Sequence, residues 1–162
     1  MKWAFEPAAS FAQRAAQWRA LNAATLASPL LEPEFVMPLL EHFGKGEVLA
    51  RCEQGGEIVA MALLSRRRTG TWETFQPSQA PVGMWLQDPG LDTGVLMAGL
   101  MRALPGFALV LSLLQRDPAL EARPAGLSPP WLDAYWKSCS PRRVSLTALS
   151  TILALESHRR FR

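Results

Sequence analysis

Apolar residues run without a break from Ile58 to Leu64, and glycines and polar residues bracket that run on both sides. Across residues 47–75 the pattern reads as three strands joined by two tight turns. Gln54-Gly55-Gly56 supplies the first turn, because glycine takes a positive φ at no steric cost. Arg68-Thr69-Gly70 supplies the second. The middle strand, residues 58–65, carries Ile58, Ala60, Ala62 and Leu64 on one face and Val59, Met61 and Leu63 on the other. A strand that is apolar on both faces needs cover on both, so helices or a second layer are required.

Helical spacing appears on either side of this meander. Residues 2–5 fit a short first strand. Ser10 is placed to cap a helix in which Phe11, Ala15, Trp18, Asn22 and Thr25 recur on one face, with Leu21 and Leu26 widening the stripe. Ser28-Pro29 breaks that helix. Pro33 suits the first turn of a second one, made amphipathic by Phe35, Leu39, Leu40 and Phe43 and ended by Gly44 and Gly46. Pro38 is expected to bend this helix or delay its start. Residues 76–90 contain Pro77, Pro81, Gly83 and Pro89 and read as irregular, with an extended piece at 84–87. Asp92 caps a third helix that runs to Leu104 and stops at Pro105-Gly106, and residues 107–114 read as a second strand buried on both faces. The expected fold class is therefore α/β or α+β, over residues 1–136. Residues 137–162 form a basic, apolar-centred tail expected to be helical.

Composition narrows the class. The chain has 162 residues, 49% of them hydrophobic and 19% charged, which fits one globular domain with its own core. Cys52 and Cys139 are too few and too far apart for a disulfide scaffold or a zinc site. Neither His42 nor His158 has a second ligand at metal spacing, so no metal is expected. The first seven residues carry no secretory signal, and no apolar stretch approaches the ~20 residues of a membrane span. A cytoplasmic location without a membrane span is the expectation.

The net charge of +3 is uneven: the last 26 residues carry +5 and the others −2. The basic balance belongs to the tail, and no basic face interleaved with aromatics marks a nucleic-acid binder. Arg66-Arg67-Arg68 reads as a solvated strand end that discourages edge pairing. There is no Gly-x-Ser-x-Gly elbow, Walker loop or dinucleotide fingerprint. Asp117-Pro118 and Glu121 follow the last expected strand, as loop turns or as an acceptor-activating carboxylate.

The order strand, two helices, three-strand meander, helix, strand matches the N-acyltransferase fold of the GNAT superfamily. In detail the chain resembles the amino-terminal half of the CelD/BcsL-type GNAT acetyltransferases, bacterial proteins associated with cellulose and other exopolysaccharide biosynthesis. The resemblance is carried by Trp18 and Leu21, Ser28-Pro29, Pro33-Glu34-Phe35 and Phe43-Gly44. It continues through Glu57-Ile58-Val59-Ala60, Leu63-Leu64, Arg66-Arg67-Arg68, Gln76-Pro77-Ser78-Gln79 and Ala134-Tyr135-Trp136. It implies a mixed, mostly antiparallel sheet flanked by helices, acetyl-CoA or another acyl-CoA as cofactor, and an amine or a sugar-linked group as acyl acceptor.

In GNAT domains the CoA diphosphate rests on backbone N–H groups where a Gln/Arg-x-x-Gly-x-Gly/Ala loop opens a helix, at the positive end of the helix dipole. The matching loop here is Asp88-Pro89-Gly90-Leu91-Asp92-Thr93-Gly94. Gly90 and Gly94 are its cofactor-binding candidates, but Pro89 has no N–H, Asp92 consumes donors as an N-cap, and two carboxylates repel a diphosphate. The family normally continues into a second, CoA-bearing half, whereas this sequence runs from Ser138-Cys139-Ser140-Pro141 into its apolar tail. A cofactor-poor half or a truncated form is therefore expected, the alternative being a non-catalytic, degenerate GNAT module that binds proteins or glycans.

Substrate contacts are expected at Gln76, Ser78 and Gln79, whose neutral hydrogen-bonding groups suit sugar hydroxyls. Trp72, Trp85 and Trp136 offer either stacking faces for a glycan or core packing. No catalytic base is assigned. An apolar stripe at 144–155 in the tail is expected to drive self-association or docking on a partner protein.

Overall fold

The computed structural model describes residues 1–25, 27–106 and 108–115. Strand β1 (Lys2–Pro7) turns through a short 3-10 segment into α1 (Phe11–Ala24), and a second 3-10 turn (Pro29–Leu31) leads to α2 (Pro33–Phe43). The meander follows as β2 (Val48–Gln54), β3 (Glu57–Arg68) and β4 (Gly70–Thr74). A short β5 (Trp85–Gln87), helix α3 (Thr93–Ala103) and β6 (Ala108–Ser112) complete the set. The domain is mixed α+β, built on one six-stranded sheet in the order β1-β2-β3-β4-β6, with β5 also paired to β3. Every pairing is antiparallel except that of β4 with β6. Among the described residues no helix is long and apolar enough to cross a membrane.

The two turns of the meander form where glycine permits them, with φ at +63° and +90° for Gly55 and Gly56 and at +77° for Gly70. β3 is covered on both faces, as its pattern requires. Met61 and Leu63 pack with Leu49 and Leu86 beneath α1 and α2, against Phe11, Trp18, Val36 and Leu39. On the other face Ala60, Ala62 and Leu64 join Ala50 and Cys52 beneath Leu96 and Leu100 of α3. Each leucine so buried stabilises the fold by about 1.5–3 kcal/mol over its exposed state. Small side chains in the central strands leave room for large ones around them: Trp3 and Trp85 meet with ring centroids 6.2 Å apart.

The connection between α1 and α2 is clamped by polar groups. Trp18 Nε1 donates to the Leu31 carbonyl at 2.6 Å. Asn22, fully buried, donates through Nδ2 to the Ser28 carbonyl at 3.0 Å and to Glu32 at 2.6 Å, and its Oδ1 accepts the Ser28 amide at 3.1 Å. Its place in the buried stripe of α1 thus serves hydrogen bonding as well as burial.

Three expectations are corrected, and for Pro38 one of two alternatives is removed. Ser10 makes no side-chain cap; its hydroxyl donates back to the Pro7 carbonyl at 2.7 Å, because residues 8–10 already form a 3-10 turn ahead of α1. The buried face of α2 runs through Pro33, Val36 and Leu39, leaving Phe35 and Leu40 half-buried and Phe43 exposed. Pro38 does not delay α2, since the ring lies on the exposed side and the hydrogen bond it forgoes leaves a carbonyl open to water. Finally, β6 is not buried on both faces: Leu109 is 63% and Val110 47% exposed. The ladder to β4 skips Leu109, passing from Gly70↔Ala108 to Thr71↔Val110, so that residue bulges outward while Leu111 remains buried opposite Trp72. Leu26, Trp136, Cys139, His158, Asp117, Glu121 and the tail beyond residue 136 lie outside the described residues.

Candidate functional site

Between β4 and β5 the chain leaves the sheet and returns. Phe75 donates its amide to the Leu63 carbonyl at 2.7 Å, while Leu63 donates its own to the Met84 carbonyl at 3.0 Å. β4 and β5 are thus one strand opposite β3, interrupted by an excursion over residues 76–83. The sequence-predicted contacts Gln76, Ser78 and Gln79 all sit on that excursion.

Their environments differ. Gln76 is half-buried, and its Nε2 donates to the Ala80 carbonyl at 3.1 Å and to Gln115 Oε1, so it braces the loop from within. Ser78 and Gln79 are exposed at the tip, where the Ser78 hydroxyl donates to Gln79 Oε1 at 2.8 Å. Trp85 lies apart from them: it is 2% exposed, packed in the core beneath α3, and its Nε1 donates to Gln87 Oε1 at 2.8 Å. Trp72 is 3% exposed, with the Arg66 guanidinium 6.0 Å from its ring centroid. The structure therefore brings Gln76, Ser78 and Gln79 together on one loop and places the faces of both tryptophans in the core.

The loop into α3 is organised by Gln87, which is 4% exposed. Gln87 Oε1 also accepts the Thr93 hydroxyl at 2.9 Å, and its Nε2 donates to the Leu91 carbonyl at 2.9 Å. Asp88 Oδ1 accepts the Gly90 amide at 2.8 Å, and Asp92 Oδ1 accepts the Val95 amide at 2.9 Å in the capping geometry expected of it. Two amides that an anion would seek at this helix start are thus held by carboxylates of the same loop. Gly94 follows inside the first turn of α3.

A concavity lies on the α1/α2 face, beside β1 and β2. It has a volume of about 460 Å³ and is walled by Pro7, Phe11 and Ala12 on one side and Met37, Leu40 and the exposed Gly44 on the other, with the buried Glu47 at its base. Glu47 is 9% exposed, and its carboxylate accepts the Lys45 amide and, at 3.2 Å, the Ser65 hydroxyl. The Glu6 carboxylate of β1 is satisfied: it pairs with Arg14 at 3.0 Å and with Arg51 at 3.6 Å. Sequence reasoning did not single out Glu47. Its carboxylate lies between Gly44 and Lys45 at the end of α2 and Ser65 of β3, and the contact with β3 is one that no local pattern signals.

Among the described residues no group of three or more His, Cys, Asp or Glu side chains is arranged to hold a metal ion. No protein-family model, curated protein or solved structure matches the chain. What the fold defines over the described residues is a mixed α+β domain with one parallel strand pair in an otherwise antiparallel sheet.

Proposed function

We propose that the protein is an acetyltransferase-related domain of the GNAT kind, of the type associated with polysaccharide biosynthesis, which presents the acceptor side and leaves the acyl-CoA diphosphate to another domain. The observation that carries this reading is the parallel pair β4 and β6, joined across α3 in a sheet that is otherwise antiparallel. The element order that surrounds it follows the order the resemblance implies. The donor-poor character rests on Asp88 and Asp92, which occupy the Gly90 and Val95 amides and set negative charge at the positive end of α3. The acceptor is a glycan or a sugar-linked amine, met by the exposed hydroxyl and amide of Ser78 and Gln79.

The experiment is a thermal-unfolding titration of the full chain with acetyl-CoA and, separately, with cello-oligosaccharides and amino-sugar oligosaccharides. The reading expects a rise in midpoint with an oligosaccharide and none with acetyl-CoA. A single acetyl-CoA site filled to 100 times its Kd would add about 2.7 kcal/mol, and such a shift would overturn the donor-poor assignment. Silence with every ligand would favour a second reading, a non-catalytic module that binds a protein, for which the exposed Leu109 and Val110 on β6 speak.

A further inference from the structure

The cleft between α1 and α2 stands apart from the parallel strand pair. Pro7 ends β1 and Glu47 precedes β2, whereas β4 and β6 lie beyond β3 on the other side of the sheet. At about 460 Å³ it falls within the range of small-ligand sites. Its walls are apolar, from Phe11 and Ala12 on α1 and Met37 and Leu40 on α2. Its charged lining is of one sign, Glu41 at the rim and Glu47 at the base.

Glu47 carries the argument. Burying a carboxylate costs free energy unless a cation or enough hydrogen bonds compensate it. This one is 9% exposed and is held by one amide, from Lys45, and one hydroxyl, from Ser65. A carboxylate has about four acceptor positions, so the two neutral donors leave the others to a group that enters the cleft. Arg14, Arg19, Arg51 and Arg67 are committed to other carboxylates, and no ion pair reaches Glu41 or Glu47 among the described residues. The carboxylate is also held in position: a Cβ built at residue 44 would stand 3.2 Å from Glu47 Oε2 and would collide with the Leu40 carbonyl, so glycine at that position lets the acid sit against the end of α2.

We propose that this cleft binds a small amphipathic cation, an alkylammonium whose charged head pairs with Glu47 at the base while its alkyl arm lies between Phe11, Met37 and Leu40. Glu41 adds long-range attraction at the rim. The site does not depend on the acyltransferase reading, because its chemistry is charge pairing and apolar burial without any group transfer.

The test compares n-hexylammonium with 1-hexanol by calorimetric titration of the full chain at neutral pH and low salt. The two probes share an alkyl arm and differ in charge. Saturable binding of the ammonium at least tenfold tighter than of the alcohol is expected. The preference should fall several-fold in Glu47→Gln and more modestly in Glu41→Gln, a substitution on the exposed side of α2 that leaves the fold intact should Glu47→Gln unfold. Equal affinity for the two probes, or no saturable binding of n-hexylammonium at millimolar concentration, would overturn the proposal. Because acetyl-CoA and oligosaccharides take no part in this readout, its outcome and that of the acyltransferase reading are separable.

Discussion

Met84 donates its amide to the carbonyl of Phe75 at 3.1 Å and so ties the neck of the loop formed by residues 76–83. Because both residues also bond Leu63, the β3 ladder continues past the loop as if the strand had never been interrupted. The loop is therefore an insertion into a strand, carried by a sheet that is already complete beneath it. The exposed Ser78 and Gln79 can change without loss of pairing, whereas the neck cannot.

Gly83 tests the neck. A Cβ there would stand 2.6 Å from Thr74 Oγ1 and closer still to the Leu114 carbonyl, while the Gly83 amide donates to the Gln115 carbonyl at 3.0 Å. Gly83→Ala should lower stability by about 1–3 kcal/mol through overpacking, read by urea unfolding. A variant as stable as the parent would mean that residues 113–115 do not close over the neck.

The glutamines of the loop should separate by role. Gln76→Ala removes bonds to Ala80 and Gln115 and should cost about 1 kcal/mol. Gln79→Ala, at the exposed tip, should stay within about 0.5 kcal/mol while weakening any oligosaccharide affinity. Thermal midpoints of the two single variants measure the difference, and equal midpoints would remove the bracing role from Gln76.

Asn22 tests the α1–α2 clamp. Asn22→Leu keeps the volume but strands the amide of Ser28, a residue 5% exposed, whose carbonyl keeps the Leu31 amide at 3.1 Å. A buried amide left without a partner costs about 1–3 kcal/mol, so the variant should lose roughly that much in denaturant unfolding. A loss well under 1 kcal/mol would show that water replaces the side chain.

The β1–α1 corner sets part of the acid limit. The Arg14 hydrogen bond holds the Glu6 carboxyl below its usual value of 4.5; burial opposes this in part, and the charges of Arg14 and Arg51 reinforce it. A carboxyl with a depressed folded-state pKa contributes stability that is fully present above the unfolded value and is lost as pH falls through the folded one. Stability measured from pH 6 down to 2 should therefore fall less steeply in Glu6→Gln than in the parent, and parallel curves would count against the ion pair.

Cys52 is buried on the α3 face, and burial, chiefly, pushes its thiol above the usual value, with the Glu53 charge adding to the effect. In a Cys139→Ser background the native protein should resist an aromatic disulfide reagent at pH 8 and react fully once unfolded in guanidinium. Rapid native labelling would place Cys52 at the surface.

How much was legible in the chain follows from the range over which each signal acts. The meander, its two glycine turns, the Pro33 start of α2, the Asp92 cap and the extended piece before the α3 loop rest on neighbours in sequence, so local propensity and periodicity sufficed for them. That Gly90 has lost its amide to a carboxylate was foreshadowed by the two aspartates flanking it. The exposure of Leu109 was not, because it depends on which β6 residue the parallel ladder skips. Trp85 was legible as a choice between a stacking face and core packing, and the choice is made by β5 pairing with β3 under α3, which brings its ring against Trp3, more than eighty positions earlier.

The amino-acid order alone narrowed the class to α/β or α+β and determined the both-sided cover that β3 demands and the self-capped start of α3. Only the tertiary structure decided that the loop at 76–83 interrupts one strand, that Gln76 braces while Gln79 is free to meet solvent, and that Glu47 is buried with its carboxylate against Ser65 of β3. The physical reason is common to all three: each depends on packing between elements whose contact is set by the sheet, and a side chain's burial is a property of its neighbours in space.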